Sequence, residues 1–247
     1  MPCGGCLNHA KPGVRQHQRT DHHDCRKSSP NDPGGCGMKQ IEFLFDYVSP
    51  FAYLAHHQLK DLKTRHDVEI IHRPILLGGL FGLAGSSSPL NEPCAPKKEY
   101  FIKSLGRWVA YHRAPFQMSP VFPFKSINLL RMALKAQELG VFDAYHDAIF
   151  QAAWADGHDM NDPETIRNIL TEAGLDADPI MAGAAEENIK EKLKSETQRA
   201  ADDGAFGVPS FFVDGEFYWG QDHLLLLEHD LLQQPKDPAP LSLGVEP

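Results

Sequence analysis

The chain has 247 residues, of which 42% are hydrophobic, and its formal net charge is −9 at pH 7. This length allows one large domain or two small ones, and the apolar content is sufficient for a sizeable core. The acidic balance argues against nucleic acid and anionic membranes as partners, since both attract basic surfaces.

No apolar run reaches the roughly 20 residues that span a bilayer, and the N-terminus lacks the apolar segment of a secretory signal. We therefore expect the protein to be cytoplasmic. A mitochondrial address is the weaker alternative, because the start of the chain contains Asp21 and Asp24 and has no amphipathic apolar face.

Residues 1–38 are rich in Gly, Pro, His and Cys and nearly empty of large apolar side chains. Such a segment buries too little surface to offset its ordering entropy, so we predict a disordered leader. Its cysteines and histidines suggest zinc binding, but no second pair completes a closed site, so a flexible leader is favoured. Only Cys94 lies beyond it, so we expect neither a disulfide framework nor a metal in the folded part.

The first folded elements predict a β-α-β unit. Residues 41–45 form a short buried strand, and Pro50 suits the first turn of a helix that continues to about Arg65. Residues 68–72 form a second strand, which stops at an Arg-Pro pair. A unit of this kind places its two strands in parallel with a right-handed crossover.

Residues 77–201 predict a large helical block that opens with a Gly/Ser/Pro loop over residues 78–96. Pro163 lies early in one of its helices, which Asn161 or Asp162 caps and Gly174 ends. Periodicity and caps predict successive helices over residues 129–140, 142–154, 163–173 and 178–203, the last range holding one or two.

Strands return at residues 210–213 and 216–218, joined by Asp214-Gly215, a strong signal for a two-residue hairpin. The order β-α-β, helical block, β-β-α predicts an α/β thioredoxin-like fold with a large α-helical insertion. Residues 39–76 and 202–233 would form the thioredoxin-like domain, and residues 77–201 the insertion.

The last helix is predicted over residues 223–232. Leu224, Leu227 and Leu231 face inward at helical spacing, and Leu225 is expected to widen this apolar stripe. The Pro-rich residues 234–247 predict a flexible tail.

The turn after the first strand lacks the dithiol that thioredoxin-like folds normally carry there, because residues 49–52 read Ser-Pro-Phe-Ala. Any thiol chemistry must therefore use an external thiol. Ser49 lies beside the positive end of a helix, where its hydroxyl can donate a hydrogen bond to a thiolate. An N-cap role for Ser49 is an equal alternative, and a protease-type nucleophile is disfavoured because no Gly-x-Ser-x-Gly motif surrounds it.

Two further segments suit a peptide-like ligand. Pro209 is predicted to follow a cis peptide bond, which leaves the Val208 backbone free to pair with an extended peptide; an ordinary strand-entry proline is the alternative. Gln221 and Asp222 open the last helix, where N–H groups suit a carboxylate and the Asp222 side chain suits an ammonium. Plain N-capping by Asp222 is compatible with that role.

These segments together resemble the 2-hydroxychromene-2-carboxylate isomerases, in the kappa-class glutathione transferase group of DsbA-like thioredoxin folds. The resemblance extends over residues 39–232 and has no counterpart for the leader. The motifs that carry it are Phe43-x-Phe45-Asp46-x-x-Ser49-Pro50-Phe51-x-Tyr53-Leu54, Arg73-Pro74, Arg107-Trp108, Phe206-Gly207-Val208-Pro209 and Trp219-Gly220-Gln221-Asp222.

The resemblance implies glutathione as the cofactor. Ser49 corresponds to the serine at the glutathione sulfur, and Val208, before Pro209, corresponds to the residue whose backbone pairs with the cysteinyl unit. Gln221 and Asp222 correspond to the pair that holds the γ-glutamyl end.

A lysine that meets a carboxylate of the substrate or of glutathione is also implied. Lys97 matches it when counted from the following aromatic residues, whereas Lys98 competes when counted from Pro96. One departure is that Gly85-Ser86 stands where the family often has Gly-Asn, so a ligand-binding asparagine is missing unless Asn91 replaces it.

The implied reaction is the conversion of 2-hydroxychromene-2-carboxylate, or a related aromatic acid, to trans-o-hydroxybenzylidenepyruvate by reversible thiolate addition, in a homodimer. Phe51, Phe81 and Trp108 are candidate pocket walls. A kappa-class glutathione transferase or peroxidase is the first alternative, and a non-catalytic glutathione- or peptide-binding protein is the second. A dithiol oxidoreductase is least expected.

Overall fold

The computed structural model describes residues 38–232. The predicted leader, apart from Met38, and the predicted tail of residues 234–247 lie outside the described residues, as does the suggested zinc binding by leader cysteines. The boundaries of the insertion at residues 77 and 201 stay a prediction.

One four-stranded sheet, in the order β2-β1-β3-β4, forms the centre of the described part. Strands β1 (Lys39–Phe45) and β2 (Val68–Pro74) pair in parallel, as predicted for the β-α-β unit. Strand β3 (Ser210–Val213) runs antiparallel to β1 and to β4 (Glu216–Trp219). The order of elements confirms the thioredoxin-like fold with a helical insertion.

The helices surround this sheet. In chain order they are α1 (Pro50–Arg65), α2 (Leu77–Leu83), α3 (Ala95–His112), α4 (Ile127–Glu138), α5 (Phe142–Phe150), α6 (Pro163–Glu172), α7 (Ala177–Gly183), α8 (Glu187–Asp202) and α9 (Leu224–Leu232). Short 3-10 turns at Pro89–Asn91 and Gln221–His223 and a π turn at Gln151–Ala155 complete the described elements.

Alternation along β1 divides the core between the two faces of the sheet. Phe43 and Phe45 point into the larger cluster with α1, α4 and α5, where the Phe43 ring stacks on Phe211 at 5.4 Å. Leu44 points the opposite way, into a smaller cluster with Leu80 of α2 and Ala200 of α8. Both faces are therefore covered, which explains the apolar run Phe43-Leu44-Phe45 at the end of this strand.

Local turn chemistry agrees with the sequence prediction. Asp214 and Gly215 have φ values of 52° and 87°, the two positive angles that a two-residue type I′ hairpin requires. Asp162 is the N-cap of α6, and its side chain accepts hydrogen bonds from the N–H groups of Glu164 and Thr165. The alternative cap, Asn161, instead accepts a hydrogen bond from the Lys125 N–H at 2.8 Å.

Two predictions were wrong. The expected loop over residues 78–96 contains α2, because Leu80 is buried against the sheet and Asp46 accepts the first N–H of that helix, from Leu77, at 2.9 Å. Leu225 does not widen the apolar stripe of α9 and is 51% exposed, since only the face with Leu224 and Leu227 is buried.

Candidate active site

Ser49 lies where β1 ends and α1 begins, and it is 5% exposed. Its Oγ accepts a hydrogen bond from the Ala52 N–H at 3.2 Å, so the N-cap role is confirmed. Its hydroxyl donates to the carbonyl oxygen of Val208 at 3.4 Å. An O–H···O bond normally measures about 2.5–3.0 Å, so this donation is weak. The hydroxyl proton therefore remains available to a stronger acceptor at the helix terminus.

Asp46 holds the turn before Ser49 in place, a role that the sequence analysis missed. Its buried carboxylate accepts hydrogen bonds from the N–H groups of Val48 at 3.1 Å and Leu77 at 2.9 Å. Burial raises the pKa of Asp46 to about 6, although hydrogen bonds from Ser126 and these two backbone groups oppose the rise. Its place directly after a buried strand and before a turn was the signal available in the sequence.

The Val208–Pro209 peptide bond is cis, as predicted. The Pro209 carbonyl oxygen accepts the Gly220 N–H at 3.0 Å, which attaches this segment to the start of the last helical region. The Val208 N–H donates to no residue within the described range, and its carbonyl oxygen receives only the weak bond from Ser49. The Val208 N–H is thus free and its carbonyl oxygen is only weakly bonded, so both groups can pair with an extended peptide.

Gln221 is buried, with 1% of its surface exposed. Its Oε1 accepts hydrogen bonds from Gln58 Nε2 at 2.6 Å and from His112 Nε2 at 2.9 Å. Its Nε2 is a buried donor without a partner among the described residues. The sequence analysis expected Gln221 as a ligand contact but found neither Gln58 nor His112, because side chains from α1 and α3 meet here only through the fold.

Asp222 is exposed, and the backbone conformation of Gly220 determines where its side chain lies. Gly220 has φ 102° and ψ 147°, a conformation that is open almost only to glycine. The N–H groups of Gln221 and Asp222 donate to no acceptor in the part of the chain that the structure describes. Two free N–H groups beside a free carboxylate fit the two charged groups of an amino-acid terminus.

Lys97 and Lys98 lie in the first turn of α3, and both are exposed. The Lys97 side chain is 73% exposed, and its ammonium forms an ion pair with Glu92 at 2.5 Å. At 3.6 residues per turn, both lysines lie about 50° from the centre of the helix face that contains Phe101 and His112. Helical position therefore does not decide between the two lysines. Asn91, the suggested replacement for the missing asparagine, lies exposed at the end of a 3-10 turn.

Aromatic side chains of α1 and α3 form two ring pairs. The Phe51 and Phe101 rings meet edge to face at 5.1 Å beside the start of α1. Trp108 stacks on His112 at 5.7 Å, and both rings are half-buried. Phe81 of α2 is also half-buried. The structure thus places Phe51 and Trp108 along one helix pair, and Phe81 on another element.

Cys94 is the free cysteine of the described part, and it is exposed before α3 instead of in the Ser49 turn. Across residues 38–232 no cluster of three or more His, Cys, Asp or Glu side chains is positioned to hold a metal ion. No helix within the same range has the length and hydropathy to cross a membrane.

Comparison with known proteins gives a consistent family. The profile of the DSBA-like thioredoxin domain matches residues 40–232. The chain is 31% identical over 194 residues to a 2-hydroxychromene-2-carboxylate isomerase from Sphingobium xenophagum, which covers 78% of this chain and 98% of that enzyme. It is 23% identical to glutathione S-transferase kappa 1 from Rattus norvegicus, covering 85% and 98% respectively.

Solved structures agree at the level of fold. A 2-hydroxychromene-2-carboxylate isomerase superposes with a TM-score of 0.70 at 24% identity, covering 78% of this chain and 94% of that one. A probable DsbA oxidoreductase from Streptomyces coelicolor superposes with a TM-score of 0.60 at 22% identity, covering 80% and 92%.

Proposed function

The chain belongs to the DSBA-like thioredoxin family, in the group of 2-hydroxychromene-2-carboxylate isomerases and kappa-class glutathione transferases, and on this premise we propose that it is a glutathione-dependent isomerase. Its substrate is 2-hydroxychromene-2-carboxylate or a related aromatic acid. The observation that carries the proposal is the weakly used hydroxyl proton of Ser49 at the N-terminus of α1, in a turn without cysteine.

The residues around Ser49 fit glutathione. The free N–H and the weakly bonded carbonyl oxygen of Val208 suit the cysteinyl unit of an extended peptide. The free N–H groups of Gln221 and Asp222 suit the γ-glutamyl carboxylate, and the exposed Asp222 carboxylate suits its ammonium. The buried and unpartnered Nε2 of Gln221 is a further donor for a ligand oxygen.

When bound, glutathione supplies a thiolate that adds reversibly to a conjugated double bond and so permits rotation about it. The protein stabilises the thiolate over the thiol in two ways. The Ser49 hydroxyl turns from Val208 to donate to the sulfur, at little cost because the bond that it leaves is 3.4 Å long. The positive end of α1 adds a favourable field at the same place.

Lys97 binds a carboxylate of the substrate or of glutathione in this proposal. It must exchange its ion pair with Glu92 for the ligand, which is inexpensive because exposed ion pairs contribute little. Phe51 and Trp108 contact the aromatic part of the substrate. We further propose that the enzyme works as a homodimer in the cytoplasm.

A kappa-class transferase is the second candidate, favoured by the similarity to glutathione S-transferase kappa 1. It would use the same Ser49 site but retain the thiol in its product. Product analysis separates the two, since an isomerase returns free glutathione after each turnover and a transferase consumes it.

The first test is calorimetric titration of glutathione into the protein and into Ser49→Ala, with the pKa of the bound thiol measured by thiolate absorbance. Loss of one hydrogen bond to a charged group costs about 1.5–3 kcal/mol, so the thiol pKa should rise by about 1–2 in the variant. Absence of glutathione binding to the parent protein would refute the proposed function. An unchanged thiol pKa in Ser49→Ala would remove Ser49 from the sulfur.

A further inference from the structure

A second concave site lies in the helical block, where α4, α6, α7 and α8 meet. Its volume is about 710 Å³, which is within the range of roughly 300–1,000 Å³ typical of small-molecule sites. None of its lining residues belongs to the Ser49 site. We call it the α4–α8 pocket, and it is independent of the proposed isomerase function.

The charges of this pocket are all positive. Lys125, Arg131 and Lys190 line it, and no Asp or Glu does. Lys190 is paired with Glu187 at 3.1 Å, whereas Lys125 and Arg131 form no ion pair with any residue between 38 and 232. An acidic chain of net charge −9 thus concentrates cations in one concavity, which raises the local concentration of anions.

Arg131 provides the most specific signal. Its Nε is buried and has no hydrogen-bond partner among the described residues. An unsatisfied buried donor is costly, and a charged one more so. A carboxylate accepts from the Nε edge of a guanidinium through two parallel hydrogen bonds. A rotation of the half-buried Arg131 side chain that exposes Nε to the pocket would let such a ligand satisfy this donor.

Much of the remaining wall is apolar and adaptable. Met132 of α4, Met160 before α6 and Met181 of α7 line the pocket together with Ile166. Methionine side chains are flexible and polarizable, so they accommodate apolar groups of different shapes. A small inorganic anion would leave this wall without a function.

We propose that the α4–α8 pocket binds a small organic carboxylate with an apolar body. Arg131 receives the carboxylate, Lys125 adds charge at the rim, and the three methionines contact the apolar body. The site is separate from the one that binds glutathione.

The test is a titration of the full-length protein, carrying ¹³C-methyl methionine, with 4-phenylbutyrate as the probe. The chain has six methionines, three of which line the pocket. The methyl signals of Met132, Met160 and Met181 should move together, while those of Met38 and Met118 should not. Arg131→Gln should weaken binding at least tenfold, because a charge-assisted contact is lost.

Three controls make the result decisive. Arg167→Gln removes an exposed guanidinium that is paired with Asp178 outside the pocket, and it should leave affinity unchanged. Lys125→Gln provides a milder loss should Arg131→Gln fold poorly. The neutral analogue 4-phenylbutanol should bind at least tenfold more weakly. Unmoved pocket methyl signals, equal binding of the alcohol, or equal losses in Arg131→Gln and Arg167→Gln would overturn the proposal.

Discussion

Gly220 illustrates at the residue scale how a backbone angle positions a ligand group. Its φ of 102° presents Asp222 at the start of the last helical region, and a Cβ at this position would lie 2.5 Å from Asp222 Oδ1. Any side chain here meets both backbone strain and displacement of the Asp222 carboxylate. The Trp-Gly-Gln-Asp motif of the sequence therefore has a geometric reason for its glycine.

Gly220→Ala should weaken glutathione binding by about tenfold, because the added Cβ would displace the Asp222 carboxylate that is proposed to receive the ligand ammonium. Gly215→Ala is the matched control. Gly215 also has a positive φ, 87°, but nothing lies within 4 Å of its added Cβ, and it belongs to the distant hairpin turn. Calorimetry should show loss of affinity in Gly220→Ala alone, with both variants losing stability. Equal glutathione affinities in the two variants would remove Asp222 from the binding site.

At the scale of elements, α1 begins with a residue that has two roles. Ser49 caps the helix through its oxygen, and in the proposed function its proton reaches the thiolate. Replacement by alanine removes both, so a loss of activity alone would not tell them apart. A second helix offers the comparison, because Asp162 caps α6 in the same way, and no described contact joins it to the Ser49 site.

Ser49→Ala and Asp162→Ala should each lower the free energy of unfolding by about 1 kcal/mol, the usual value of an N-cap. Urea unfolding measures this loss, and only Ser49→Ala should raise the pKa of bound glutathione. A similar rise in Asp162→Ala would show that the effect comes from general loosening of the fold and not from the Ser49 hydroxyl.

Elements with a strong local signal were predictable from the sequence. The hairpin followed from Asp214-Gly215, and the cis peptide bond from the motif around Pro209. The cap of α6 was narrowed to Asn161 or Asp162, and the structure selects Asp162. Helix α2 was not, since its glycines indicate a loop and only burial of Leu80 and the Asp46 hydrogen bond make it helical. Tertiary contacts overrode propensity there.

In the candidate site too, features with a local sequence signal were predictable and those that depend on tertiary contacts were not. Ser49 and Val208 lie in contact, as a strand-turn-helix and a following Pro-strand predict. The contact of Gln221 with Gln58 and His112 joins three elements that are far apart in the chain, and no local pattern announces it. The exposed position of Leu225 was missed for the same reason, because burial depends on what the helix packs against.

The whole molecule contains a buried histidine cluster formed by α1, β2 and α5. The His146 ring lies 4.6 Å from His56 and 4.7 Å from His72, and Tyr47 Oη is 3.0 Å from His146 Nδ1. Burial lowers the pKa of all three imidazoles: that of His72 to about 4, and that of His146 well below its ordinary value. Asp147, 2.9 Å from His56, opposes the shift only in part.

These depressed values predict that acid destabilises the fold. Above pH about 6.5 the histidines are neutral in both states, whereas at lower pH the unfolded chain binds more protons than the native one. Stability should therefore fall as pH decreases from about 6.5 toward 4. Asp46, with its pKa raised to about 6, works in the opposite direction but is one group against three.

Urea unfolding between pH 7 and pH 5 should show a loss of roughly 2–4 kcal/mol. His146→Phe tests the cause, because the ring of His146 is surrounded by Phe45, Phe142 and Phe150 and an apolar ring fits there. The free energy of unfolding of the variant should fall less steeply as the pH decreases. The difference in slope should correspond to about one proton, because the variant lacks one imidazole that would be protonated in the unfolded state. An identical pH dependence in both proteins would show that His146 does not contribute to the acid sensitivity.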